Sequence, residues 1–211
     1  MCHDGLSANT GGGNASMTPE MRAFEYAIGV FAVLIGLAIA DIATSFHRLL
    51  RSKSPVVWDP LALMAALYAL CMAIYMWFDL WGVRNFSATR NFLFYLGIFA
   101  MLFVLFLVAA SSLPDETNTS INLRVFYAEN RRKFWLLVVL FQIGYVAAGI
   151  YFTGGMPKLP TLITALLNIQ MFAPLALSLV LLATKSRGIH YICIGLLFVV
   201  MLLHYGRGSI N

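Results

Sequence analysis

Six stretches of this 211-residue chain, at about 24–47, 60–83, 91–112, 133–153, 159–183 and 189–206, are apolar almost throughout. Each is close to the roughly 20 residues that an α-helix needs to cross about 30 Å of hydrocarbon. The runs are continuous rather than alternating, and a helix satisfies its own backbone donors and acceptors where water is absent. The expectation is an all-α, polytopic membrane domain over residues 21–207: six transmembrane helices in one bundle, with the lipid bilayer as solvent. Composition excludes the soluble alternative, since 61% of residues are hydrophobic and only 11% are charged, against roughly 25% charged in an average soluble domain.

Residues 1–20, MCHDGLSANTGGGNASMTPE, are rich in Gly, Ser and Asn and have no apolar signal region. A disordered tail is expected there, not a secretory signal peptide. Met17 and Met21 stand just before the first apolar run and are alternative translation starts. The connections RSKSPVVWDP, SSLPDETNTS and TGGMPKLP carry turn residues. The segment INLRVFYAENRRKF is expected to begin a helix at the membrane surface that runs on into the fourth span.

Fourteen basic and nine acidic residues give a net charge of +5. The connections after the first, third and fifth runs hold nine of the basic residues: Arg48, Arg51, Lys53, Arg124, Arg131, Arg132, Lys133, Lys185 and Arg187. The opposite side holds five, Arg22, Arg84, Arg90, Lys158 and Arg207. The positive-inside rule then places both termini of a multi-pass protein outside the cytoplasm. Basic residues interleaved with aromatics in NLRVFYAENRRKFW fit an interfacial helix, and nucleic acid would need a wider exposed basic surface. Trp58, Trp77 and Trp81, near the ends of their runs, fit aromatic belts. The sequons at Asn14, Asn85 and Asn118 matter only in a glycosylating host.

Within the first run, GLAIADIATSFHRLLR places a carboxylate, Asp41, among apolar residues. Asp41, Thr44, Ser45 and Arg48 recur at helical spacing and line one face, with Asp41 about 8 Å above the inner boundary. A charge at that depth has to be paired, hydrated or protonated. Two readings stay open: a structural ion pair, with Arg48 or a cation from another helix, or a proton or cation site in a cytoplasm-facing cavity. Gln142 and Asn168 fall near mid-membrane and can extend that cavity as neutral ligands, while Gln170 points nearly opposite to Asn168. Gly29, Ala32, Gly36 and Ala40 form a small-residue seam expected to admit a neighbouring helix. Thr161, Thr164, Asn168, Met171, Leu175 and Ser178 form a heptad-like seam on the fifth run, which Pro174 can kink.

Near the outer face, Glu25, Asp79, Arg84, Arg90 and His204 make a candidate charged cluster, with exposed boundary pairs the more ordinary reading. His47 and His190 both approach the inner face, where a shared haem is conceivable but sits too near the helix ends. Cys2, Cys71 and Cys193 have no ligand or disulfide spacing, and no catalytic triad, metal motif or phosphate-cradling loop is present, so no cofactor is implied.

The runs EYAIGVFAVLIGLAIADIATSFHRLLR and NLRVFYAENRRKFW resemble those of an uncharacterised family of bacterial six-helix inner-membrane proteins. That resemblance implies a plasma (inner) membrane location and brings no activity, ligand or catalytic residue with it. The leading expectation is a non-enzymatic bundle with a polar cavity for a small solute, proton or ion. The competing class is an accessory or scaffold subunit that meets a second copy or another membrane protein, and a membrane-embedded enzyme comes third.

Overall fold

The computed structural model describes residues 19–82, 92–115, 121–152 and 162–206, with the side chains of 26–80, 93–115, 121–150 and 172–204. Over these residues the chain forms six helices, α1 (Pro19–Arg51), α2 (Pro60–Gly82), α3 (Phe92–Ala110), α4 (Leu123–Phe152), α5 (Leu162–Ala183) and α6 (Arg187–Gly206). Two short strands, β1 (Val56–Val57) and β2 (Ile121–Asn122), lie in the connections. Five helices, all but α5, are long and apolar enough to cross a membrane; in α5 the apolar stretch so described is the shorter Phe172–Ala183.

Hydropathy located the apolar middle of each helix but not its ends. α1 starts at Pro19 and runs to Arg51, and α4 starts at Leu123, ten residues before the fourth apolar run. The surface segment before that run therefore continues into the helix without a break, as expected. Residues 19 and 20 of the expected tail belong to α1, and the rest of that tail lies outside the described residues. Pro174 stands inside α5 without ending it.

α1 packs against α3 and α2, α3 against α4, α4 against α5, and α5 against α6, while α2 also touches α3, α4 and α6. α2 is the central helix because its small side chains allow close approach on several sides. Ala62, Ala65, Ala66, Ala69 and Ala73 are all buried, at spacings that keep them along one stripe. Ala69→Leu should push this stripe apart and cost about 1–3 kcal/mol, whereas Leu67→Ala, at the half-exposed Leu67, should change little. Thermal unfolding of the two variants in detergent checks the contrast.

On α1 the buried side chains are Phe31, Ile35, Ala38, Ile42, Ser45 and Leu49, alternating spacings of four and three as in a coiled-coil seam. The small-residue seam is thus not the main face that α1 buries among the described residues. Gly29, Gly36 and Ala40 are exposed, and a Cβ added at Gly29 or Gly36 would meet nothing within 4 Å among the described residues beyond its own helix backbone. The buried stripe carries Phe31, Ile35, Ile42 and Leu49, which hide more apolar area than glycine or alanine can, while Val30, Val33, Leu37, Phe46 and Leu50 stay exposed. Outside the bundle, Val33, Leu37, Phe78, Leu96, Phe103, Leu140 and Leu196 are exposed on five helices, an apolar belt that suits lipid rather than water.

β1 and β2 pair in parallel, with Val56 opposite Ile121 and Val57 opposite Asn122. This pairing clips the α1–α2 connection to the α3–α4 connection at one end of the bundle. Contacts from α6 to Asp59 and from α4 to Thr184 bring the α5–α6 connection to the same end. The nine basic residues of the three connections are gathered there, and we call it the basic end.

Candidate functional site

Local sequence sets the helix ends that build the site. Asn122 precedes α4 and its Oδ1 accepts hydrogen bonds from the backbone N–H of Arg124 at 3.0 Å and of Val125 at 3.3 Å, satisfying donors that have no partner in the first turn. At the start of α2 the Asp59 carbonyl accepts the Leu63 N–H at 3.2 Å, and Pro60 occupies a position where no N–H is needed. The Asp59 carboxylate is turned toward α6. Its Oδ1 accepts from the Arg187 guanidinium, it is 4% exposed, and Oδ2 has no hydrogen-bond partner among the described residues.

Tyr127, Arg131 and Trp135 follow one another at four-residue spacing on α4 and so share a face. They meet Arg187 and His190, three residues apart on α6. His190 is almost wholly buried. Its Nε2 lies 2.9 Å from the Thr184 carbonyl, which can only accept, so Nε2 carries a proton and donates. Its Nδ1 lies 2.6 Å from the Tyr127 hydroxyl. That hydroxyl accepts from the Trp135 indole N–H at 3.0 Å, leaving its own proton to donate to Nδ1. The geometry thus assigns a neutral imidazole in a directed chain from Trp135 through Tyr127 and His190 to Thr184.

Thr184 lies just past α5, where backbone carbonyls lack helical partners. The Arg131 guanidinium donates to the same carbonyl, placing a cation at a helix C-terminus where the dipole favours it. One carbonyl therefore ties α4, α5 and α6 together.

Against this wall lies a half-open cavity of about 450 Å³ lined by Leu61, Arg124, Val125, Tyr127, Ala128, Glu129, Arg131, Lys185, Arg187 and His190. Its volume falls in the range of about 300–1,000 Å³ usual for small-molecule sites. Four cationic residues, Arg124, Arg131, Lys185 and Arg187, and one acidic residue, Glu129, are among those lining it. Because both ring nitrogens of His190 are engaged, neither is left to act on a bound molecule. Both His190 nitrogens are thus engaged with Tyr127 and Thr184. The arrangement can attract and hold an anion.

The residues singled out by sequence separate into groups. Ser45 is buried and its hydroxyl donates to Asp115 Oδ1 at 2.9 Å; Arg48 approaches the same oxygen at 3.7 Å. Asp41 is half-buried within electrostatic reach of both Asp115 and Arg48, and Thr44 points outward. The cation on this helix thus pairs with Asp115 of the α3–α4 connection. Gln142 is buried on α4 and donates from Nε2 to the Tyr68 hydroxyl of α2 at 3.3 Å. Neither Asp41 nor Gln142 lines the basic-end cavity. Asn168 and Gln170 lie on α5, with side chains outside the described residues.

In the outer cluster, Asp79 Oδ2 accepts from the Tyr145 hydroxyl at 3.1 Å and His204 is exposed on α6. Arg84, Arg90 and the side chain of Glu25 lie outside the described residues. Trp58 is half-exposed beside Phe46, their ring centres 6.3 Å apart. Among the described residues, no three His, Cys, Asp or Glu side chains are placed to hold a metal ion.

Sequence reasoning missed Asp59, Asp115, Tyr127, Trp135 and Arg187 as members of a site. The four-residue spacing of Tyr127, Arg131 and Trp135 was a usable signal, hidden because that segment reads equally well as an interfacial helix. Asp59 was read as part of a turn. No family model matches the chain, and no curated protein or solved structure is significantly similar to it.

Proposed function

We propose that this chain is a non-enzymatic, six-span membrane protein whose basic-end cavity binds a small anion from the cytoplasmic side. In this reading all six helices cross the bilayer, both termini lie outside the cytoplasm, and the chain belongs with the bacterial inner-membrane proteins its sequence resembles. The observation that carries it is the excess of cations around the cavity, Arg124, Arg131, Lys185 and Arg187 against Glu129. Low-dielectric walls such as Leu61 and Val125 strengthen the field of those charges on a bound anion. This reading puts the solute cavity on the α4 and α6 faces rather than around Asp41, Gln142 and Asn168.

Calorimetric titration of the purified full chain in detergent tests this. Sulfate and phosphate should bind, and more weakly as sodium chloride is raised, because screening shortens the reach of the charges. The divalent cation magnesium should not bind in the cavity. Absence of oxyanion binding, or preferential binding of magnesium, overturns the reading.

An accessory role is the competing reading. It draws on the outward face of α1, where a Cβ added at Gly29 or Gly36 would meet nothing within 4 Å among the described residues beyond its own helix backbone and a second helix can approach closely. Co-purification of a stoichiometric partner that is lost in Gly36→Leu, with no oxyanion binding, would favour it.

A further inference from the structure

Building on the anion-site reading, we propose that the basic-end cavity is a phosphomonoester site, taking the terminal phosphate of an anionic membrane lipid or of a small phosphorylated solute. Charge comes first. Four cationic side chains against Glu129 leave three net positive charges on the cavity wall, and Asp59, paired to Arg187 behind it, reduces that to two. A phosphomonoester carries about −1.5 to −2 at neutral pH and balances this field. A carboxylate or phosphodiester, with one charge, leaves an excess.

Donor geometry agrees. Arg131 donates to Thr184 and Arg187 donates to Asp59 and also bonds Tyr191, and with five N–H donors apiece each keeps further N–H groups in a planar fork suited to phosphate oxygens. The side chains of Arg124 and Lys185 have no partner among the described residues and are exposed at the rim. The inner wall is fixed by the Trp135, Tyr127 and His190 chain, so ordering the site on binding costs little. Leu61, Val125 and Ala128 add an apolar flank that can receive the glycerol or acyl stem behind a lipid phosphate, as in basic headgroup pockets between membrane helices.

The test is calorimetry on the full chain in detergent with methyl phosphate and dimethyl phosphate, at pH 7.5 and pH 5. The monoester loses its second charge near pH 6, so its affinity should fall about tenfold on acidification, a loss of one attractive charge worth about that factor. The diester carries one charge at both values and reports any contribution from Glu129, His190, Tyr127 or Asp59. The expected result is monoester binding tighter than diester at pH 7.5 and a monoester-specific loss at pH 5.

The double variant Arg124→Gln, Lys185→Gln removes two exposed charges without touching the buried network. It should weaken methyl phosphate about tenfold or more while leaving the unfolding midpoint unchanged. Native mass spectrometry with phosphatidic acid and phosphatidylglycerol separates the sources: retention of phosphatidic acid with far weaker methyl phosphate binding identifies a lipid, and equal affinities identify a soluble solute. Diester binding as tightly as monoester, or an unaffected double variant, overturns the phosphomonoester proposal while the anion reading stands. Loss of all oxyanion binding removes both.

Discussion

Arg187→Met should destabilise the chain by about 3 kcal/mol. Removing one partner of a buried ion pair typically costs roughly 3–5 kcal/mol because the other charge is stranded, and here Asp59 is the stranded partner. Its carboxylate side chain is 5% exposed and its Oδ2 already lacks a hydrogen bond among the described residues. The lower end of the range applies because Arg187 itself is about one-third exposed, so water screens part of the pair. Adding Asp59→Asn should restore most of the loss, since the double variant leaves no unpaired charge. Denaturant unfolding in detergent micelles measures both; equal stability of Arg187→Met and the parent chain would show that the pair contributes nothing.

Trp135→Ala should cost about 3–5 kcal/mol, the usual penalty for truncating a buried aromatic. Trp135 is fully buried. Its ring centre lies 6.1 Å from that of Tyr68 on α2, 5.0 Å from Phe134 and 6.4 Å from His190 on α6, so the cavity left behind is walled by three helices that cannot all collapse. Trp135→Phe keeps most of the ring and removes only the N–H donated to Tyr127, a loss of about 1 kcal/mol. A large difference between the two variants assigns the role to packing; equal losses would assign it to the hydrogen bond.

The positions of the six helices were legible because each apolar run is long and the 20-residue requirement of a bilayer is a strong filter. Helix ends were less so. Arg124, Glu129 and Arg131 are poor in hydropathy yet helical, and it is the Asn122 cap, not apolarity, that sets where α4 begins. The inward face of α1 was not read, because two stripes competed: small residues at Gly29, Gly36 and Ala40, and large ones at Phe31, Ile35 and Ile42. Periodicity finds both, and burial of larger apolar area decides between them.

The site was legible only in fragments. Ser45 and Arg48 share one face, but the carboxylate both approach, Asp115, is 70 residues from Ser45 along the chain. Asp59 and Arg187 are 128 residues apart, and Tyr127 and His190 are 63 apart. No local pattern encodes such pairings; they arise once the helices are packed and three connections meet at one end. The two-residue pairing of β1 with β2 fixes part of that meeting and was not expected from an all-helical pattern.

A substituted-cysteine measurement reads the field of the cavity directly. With Cys2, Cys71 and Cys193 replaced by Ala, Ala128→Cys puts a single thiol on the cavity wall beside Arg124 and Arg131. The rates of its modification by anionic and cationic methanethiosulfonates of similar size, each divided by the rate for a small free thiol, give the local potential. A cavity that gathers anions reacts with the anionic reagent at least about tenfold faster than with the cationic one, and added phosphate slows the reaction. Equal rates for the two reagents, or a preference for the cationic one, would contradict an anion site at the basic end.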